Sequence, residues 1–223
     1  MSQAHSTSRP SSGQVPKAAI LRLSLYLREA TELEEKAVKT ISSSRLAALL
    51  GLTDAQVRKD LAYFGQFGRP GVGYAVTDLI GQLKRILGTD RMWDVVLIGA
   101  GNLGRALAAY QGFQRQGFRI VGVFDASPEK VGTRLGELTV QPMTDLAGVV
   151  ARTGSRIAIL CVPPGQAQKV ADQAVAAGVR GLLNFAATSI AIPPHVVENS
   201  VDLAIRLEQL SFQLHTMSEK QEG

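Results

Sequence analysis

The run Val95-Val96-Leu97-Ile98, followed at once by Gly99-Ala100-Gly101-Asn102-Leu103-Gly104, constrains this chain more than any other feature. An apolar strand that ends in Gly-x-Gly-x-x-Gly and leads into the helix-forming Arg105-Ala106-Leu107-Ala108-Ala109-Tyr110 is the opening unit of a parallel α/β sheet that holds a dinucleotide. Gly99 permits the tight turn, Gly101 lets the backbone approach a pyrophosphate, and Gly104 allows the helix to pack closely on the strand. The phosphates are expected at the helix amino terminus, where free N–H groups and the helix dipole favour anions. Gly99, Ala100, Gly101, Asn102, Leu103 and Gly104 are therefore the first candidate cofactor residues. Asp125 ends the next predicted strand, 21 residues after Gly104. An acid there binds ribose hydroxyls and repels a 2′-phosphate, so the expected ligands are NADH and NAD+ rather than their 2′-phosphorylated forms.

Strand and helix alternate through the rest of this half. Strands are predicted near 94–98, 119–124, 156–162 and 180–184, and helices near 102–112, 144–152 and 165–177, which implies a parallel sheet covered on both faces. Val162 and Pro163 after one strand, and Asn184 and Phe185 after another, lie at carboxyl ends of strands, where open α/β sheets bind ligands. Beyond them Leu203, Leu207, Leu210, Leu214 and Met217 recur at spacings of four and three, the seam of a helix that packs on another helix.

The residues ahead of the sheet carry a different signature. Pro16 opens a helix whose apolar stripe is Ala19, Ile20, Leu23 and Leu27, and Ser42-Ser43-Ser44 supplies caps for a second, short helix ended by Gly51. Thr53-Asp54-Ala55-Gln56 has the form of a capping box opening a third helix to about Phe64. Two capped helices joined by a tight turn form a helix-turn-helix. On the third helix Val57, Leu61 and Phe64 share the buried stripe, leaving Gln56, Arg58, Lys59 and Tyr63 on or beside the outward face. Gly65, Gly68, Gly71 and Gly73, interleaved with Phe67, Arg69, Val72, Tyr74 and Val76, are expected to form a hairpin wing, followed by a helix near 78–87. Residues 1–90 hold 12 Lys and Arg against 8 Asp and Glu, whereas the remainder holds 12 against 11, so the basic excess lies with this motif. Ser43, Gln56, Arg58, Lys59, Tyr63, Arg69, Gly71, Gly73 and Tyr74 are the candidate DNA-binding residues, with Arg58 suited to a guanine and Lys59 or Arg69 to phosphate or the minor groove.

The expected fold class is thus α/β: a disordered tail over 1–15, a winged helix-turn-helix domain over 16–88, a Rossmann-like domain over 89–200 and a terminal helix over 201–223. A single cysteine, Cys161, excludes an internal disulfide and a Cys-rich zinc site, and no metal site is expected. No apolar run approaches a membrane span and the first fifteen residues lack the apolar segment of a signal peptide, so a cytoplasmic location without membrane attachment is expected. No catalytic set stands out. His195 follows Pro193-Pro194, His215 lies on the terminal helix, and Cys161 sits in an apolar run that favours a buried thiol.

Across residues 15–215 the sequence closely resembles the Rex family of redox-sensing transcriptional repressors. The matching segments are Val15-Pro16, Leu25-Tyr26-Leu27-Arg28, Val57-Arg58-Lys59-Asp60-Leu61, Gly71-Val72-Gly73-Tyr74, Gly101-Asn102-Leu103-Gly104, Asn184-Phe185-Ala186 and Val201-Asp202. The resemblance implies a homodimer that binds inverted-repeat operator DNA and releases it when NADH binds, with NAD+ competing. It places Tyr110 near the nicotinamide, makes Arg28, Tyr110 and Asp202 switch residues, and has the terminal helix exchanged between subunits. Where relatives commonly carry Arg before Gly-Val-Gly-Tyr, this chain has Pro70, with Arg69 one residue earlier. The competing reading is an NAD-dependent oxidoreductase with an accessory DNA-binding domain, and a third is a CoA- or nucleotide-binding module. Hydride transfer to any substrate would favour the second reading, and binding of CoA but not NADH the third.

Overall fold

The computed structural model describes residues 16–65, 68 and 72–219. The expected 1–15 tail, and Arg69, Pro70 and Gly71 of the wing, lie outside the described residues. The chain divides into two compact units, one ending at Arg91 and one beginning at Met92.

The first unit opens with α1 (Lys17–Glu35) and continues through β1 (Thr40–Ile41), α2 (Ser43–Leu50), α3 (Asp54–Ala62), β2 (Tyr74–Ala75) and α4 (Val76–Leu87). The buried stripe of α1 is Ala19, Leu23, Tyr26, Ala30 and Leu33, while Ile20 is exposed, so the apolar face turns further round the helix than expected. Ser42 Oγ accepts from the Arg45 N–H at 3.1 Å, and Gly51 adopts a left-handed conformation, so α2 is capped at both ends. Thr53 Oγ1 caps α3 by accepting from the Gln56 N–H at 3.2 Å. The reciprocal half of the expected box is not made, because Gln56 Nε2 donates along the helix to Asp60 Oδ1 at 2.7 Å. Leu46, Val57, Leu61, Tyr74, Leu79 and Leu83 join the α1 stripe in one core.

The hairpin expected across residues 65–76 rests largely on residues outside the described ones. Tyr74 and Ala75 pair antiparallel with Ile41 and Thr40, ahead of the two capped helices. Gly73 has φ +92°, and a side chain there would meet the Ile41 backbone, which fixes glycine where β2 passes β1.

In the second unit the helices are α5 (Asn102–Ala108), α6 (Gly112–Arg115), α7 (Leu146–Thr153), α8 (Pro164–Ala176) and α9 (Leu203–Glu219). Its strands are β3 (Trp93–Ile98), β4 (Phe118–Asp125), β5 (Arg134–Leu135), β6 (Leu138–Pro142), β7 (Ile157–Leu160), β8 (Gly181–Asn184) and β9 (Val197–Ser200). They order as β5-β6-β4-β3-β7-β8-β9, parallel except for the β5–β6 hairpin. The sequence reading found neither that hairpin nor β9. One face of the sheet packs Val96, Ile98, Phe124 and Leu160 on α7 and α8. The other packs Val95, Leu97, Val123 and Ile159 on Leu107, Ala108 and Phe113. The chain leaves β3 for β4 on one side and later returns to β7 on the other, so the sheet order reverses at β3, and a crevice opens there beyond the carboxyl ends of the strands.

Candidate nucleotide cleft and DNA-reading face

The glycine-rich turn sits in that crevice as its spacing requires. Gly99 has φ +105°, and a side chain there would collide with the Cys161 carbonyl. A side chain at Gly104 would collide with the carbonyl oxygen of Gly99. At Gly101 the same addition meets nothing within 4 Å, because that position faces open space. The cleft, of about 980 Å³, is lined by Gly99, Gly101, Asn102, Leu103, Asp125, Val162, Pro163 and Phe185 among others. A site of this size, with one glycine that a Cβ would extend into free volume, fits a dinucleotide.

Asp125 is buried, and its carboxylate is already engaged. Oδ2 accepts from the Ala100 N–H at 2.7 Å and from Lys130 Nζ at 3.1 Å, and Oδ1 accepts from the Ser127 N–H at 2.8 Å. Burial alone would push this carboxyl upward, but the Ser127 and Ala100 N–H groups and the Lys130 ammonium outweigh it and hold the group below its ordinary value. An ionised carboxylate offers about four acceptor positions, so one remains for a ribose hydroxyl. Lys130 and Ser127 escaped the sequence reading. Their signal was proximity to Asp125 on the loop after β4, without a motif to single them out.

Two expected cofactor residues have polar groups engaged within the protein. The Ala100 N–H is committed to Asp125. Asn184 is fully buried, with Nδ2 donating to the Thr188 carbonyl and to Glu198 Oε1, each at 2.9 Å, and Oδ1 accepting from the Ala186 N–H at 2.9 Å. Its amide therefore pins the loop after β8, leaving Phe185 to line the cleft. Tyr110 is exposed, edge-on to Phe113 at 5.1 Å between centroids, and is not part of the cleft lining. Burial pushes the Cys161 thiol up to about 12, so the sulfur at the cleft wall stays protonated and unreactive at neutral pH.

On the first unit, Arg58 and Lys59 are exposed on α3 as expected, with Tyr63 and Ser43 half-buried beside them. Arg58 Nη1 donates to Asp54 Oδ2 at 2.6 Å and to Ser43 Oγ at 3.3 Å. Gln56 is tied to Asp60, and Tyr74 is buried in the core, where desolvation raises its pKa; neither side chain is presented outward as expected. The principal residue missed is Asp60 itself, buried under α3, where Arg22, Tyr26 and Gln56 all donate to it. A carboxylate on the apolar side of a helix is legible only once its partners on α1 are in place.

Of the expected switch residues, Arg28 is exposed and pairs with Glu29 at 3.3 Å. Asp202 Oδ1 accepts from the N–H groups of Ala204 at 2.8 Å and Ile205 at 3.3 Å, the arrangement of an N-cap on α9. Among the described residues no group of three or more His, Cys, Asp or Glu forms a metal site, and no helix is long and apolar enough to cross a membrane.

A helix-turn-helix unit and a dinucleotide-type α/β unit in one chain define a transcription regulator with a nucleotide-binding effector domain. Residues 14–62 match the family described as "Putative DNA-binding protein N-terminus" and residues 90–188 the family described as "CoA binding domain". The redox-sensing transcriptional repressor Rex of Carboxydothermus hydrogenoformans is 48% identical over 201 residues, covering 90% of this chain and 97% of that protein. Rex of Streptomyces griseus is 44% identical over 92% of this chain and 82% of its own length. The crystal structure of RSP in complex with beta-NADH aligns with TM-score 0.85 and 35% identity, covering 94% of this chain and 98% of that one. RSP in complex with beta-NAD+ and operator DNA aligns with TM-score 0.86 and 37% identity, covering 93% and 96%. The chain belongs to the Rex family of redox-sensing transcriptional repressors.

Proposed function

We propose that this protein acts in the cytoplasm as a homodimeric repressor that holds an inverted-repeat operator and leaves it when NADH occupies the α/β unit, with NAD+ competing for the same cleft. The observation that carries this reading is the pairing, in one chain, of an outward Arg58-Lys59 on a capped recognition-type helix with a cleft whose Gly101 faces free volume. The relative RSP, crystallised with beta-NADH and separately with beta-NAD+ and operator DNA, supports assigning the two nucleotides to opposite states. In this reading residues 16–88 bind DNA, 89–200 bind nucleotide and 201–223 are exchanged between subunits.

Gly101, Asn102 and Leu103 would hold the pyrophosphate, Asp125 the ribose, and Val162, Pro163 and Phe185 the nicotinamide end. The dinucleotide supplies no reaction here; its redox state is the signal. Asp125 is held ionised by its three donors and burial keeps Cys161 protonated, so neither of these two cleft residues is poised to exchange a proton near neutral pH, which favours a sensor over an oxidoreductase. Arg28, Tyr110 and Asp202 are assigned to the switch, and Asp202 caps α9 through Oδ1 alone.

Fluorescence anisotropy at fixed salt tests the reading, using a duplex that the protein enriches from a randomised pool and a shuffled version of it. Selective binding that NADH abolishes and NAD+ spares is the expected result. By linkage, the enriched duplex must weaken NADH binding by the same factor that NADH weakens DNA binding. Identical NADH affinity with and without duplex would rule the switch out.

A further inference from the structure

On α3, Asp54 and Arg58 lie one turn apart, and both are substantially exposed. Such a pair on a solvated helix face contributes little to stability. Here, however, the arginine is held from two helices at once. Both contacts fall on Nη1, which meets Asp54 Oδ2 at 2.6 Å and Ser43 Oγ of α2 at 3.3 Å. Nη1 carries two hydrogens, and two acceptors use them. Nε and Nη2 have no hydrogen-bond partner among the described residues.

The free edge of the guanidinium is thus the one made by Nε and Nη2. Two parallel N–H groups on one edge are what a guanine requires at O6 and N7 in the major groove. A phosphate makes a different demand. It is attracted by net positive charge, and the Asp54 carboxylate cancels that charge at contact distance. A base edge is therefore compatible with the pair as it stands, whereas a phosphate oxygen loses most of the attraction an unpaired arginine would give it.

We propose that Asp54 is a specificity-determining residue: with Ser43 it orients Arg58 so that the Nε–Nη2 edge is reserved for a guanine, and it withholds the arginine's charge from the DNA backbone. This inference rests on the reading of α3 as the recognition helix. In consequence non-specific DNA is bound more weakly than the basic surface alone would dictate, and the ratio of specific to non-specific affinity rises. The bond from Arg58 also keeps the Asp54 carboxyl below its ordinary value, so the acid stays ionised while the protein searches DNA.

The test uses the full chain as Asp54→Asn and Asp54→Glu, with the duplex that wild-type protein enriches from a randomised pool and a shuffled version of it. For Asp54→Asn, affinity for the shuffled duplex is expected to rise by about fivefold and the magnitude of its log–log salt slope by about 0.9, the value for one more phosphate neutralised. Affinity for the enriched duplex should change less, so the preference falls. Asp54→Glu keeps an acid four residues before Arg58 and should retain the wild-type preference. If Asp54→Asn binds both duplexes with unchanged preference, the inference is overturned while α3 remains the reading helix. If wild-type protein enriches no duplex, the assignment of α3 fails and the inference fails with it.

Discussion

Tyr26 and Asp60 are 34 residues apart in sequence, yet the phenol of one donates to Oδ2 of the other at 2.7 Å inside the first unit. Arg22 Nη2 donates to Oδ1 of the same carboxylate at 2.8 Å, and Gln56 Nε2 to the same oxygen at 2.7 Å. A single acid beneath α3 therefore joins the recognition-type helix to α1. Removing one partner of a buried ion pair leaves the others unsatisfied, which costs about 3–5 kcal/mol. Asp60→Ala is expected to lower the stability of the first unit by about that amount in urea titration, and a wild-type midpoint would mean the network does not dock the helix.

The same carboxylate gives the unit a defined response to acid. Burial favours the protonated form of Asp60, but the bonds from Arg22, Tyr26 and Gln56 outweigh it, and its pKa lies below the ordinary 3.8. A carboxyl lowered in the folded state contributes stability that is complete above its unfolded value and is lost as pH falls through the folded one. Thermal melts should therefore show the first unit losing stability below about pH 4, with that slope flattened in Asp60→Asn. The flattening distinguishes Asp60 from the other acids, since Asp125 is lowered in the same direction in the second unit.

Gly101 and Gly104 share one motif but should fail in different ways. A methyl group at Gly104 collides with the Gly99 carbonyl, and overpacking of this kind costs about 1–3 kcal/mol or more, so Gly104→Ala should melt lower with or without nucleotide. A methyl group at Gly101 meets only open cleft. Gly101→Ala should melt like the wild type alone and lose the upward shift that saturating NADH gives the wild type. Retention of that shift would place the pyrophosphate elsewhere.

The contrast between those glycines shows how much of the molecule was legible in its sequence. The turn, its flanking strand and helix, and Asp125 follow local rules of spacing, and each element forms within a few residues of its expected bounds. The caps at Ser42 and Thr53 were equally local. What escaped depends on distant partners. Gln56 turns to Asp60 because Arg22 and Tyr26 hold that acid in place, and β2 pairs with β1 across two intervening helices. Asn184 looks like a ligand residue in a glycine-poor loop, but its amide is consumed by Thr188, Ala186 and Glu198. Strand β9 has mostly polar residues, Val-Glu-Asn-Ser, and so shows no apolar pattern; its place depends on pairing with β8.

The terminal helix makes the last prediction. The seam residues Leu203, Leu207, Leu210, Leu214 and Met217 are 50–67% exposed in the single chain, and Ile205 and Phe212, outside the seam, are 49% and 68% exposed. A helix with one apolar face packs against one surface, but α9 exposes apolar side chains on more than one side, a pattern that calls for burial all round. Insertion into a second copy of the chain meets that requirement, and a simple side-by-side contact along the seam would leave Phe212 in water. Phe212→Glu should therefore disrupt the dimer about as severely as Leu207→Glu, each moving the mass measured by light scattering toward one chain. A dimer that tolerates Phe212→Glu but not Leu207→Glu would reduce the contact to the seam alone and remove the case for exchange of the helix.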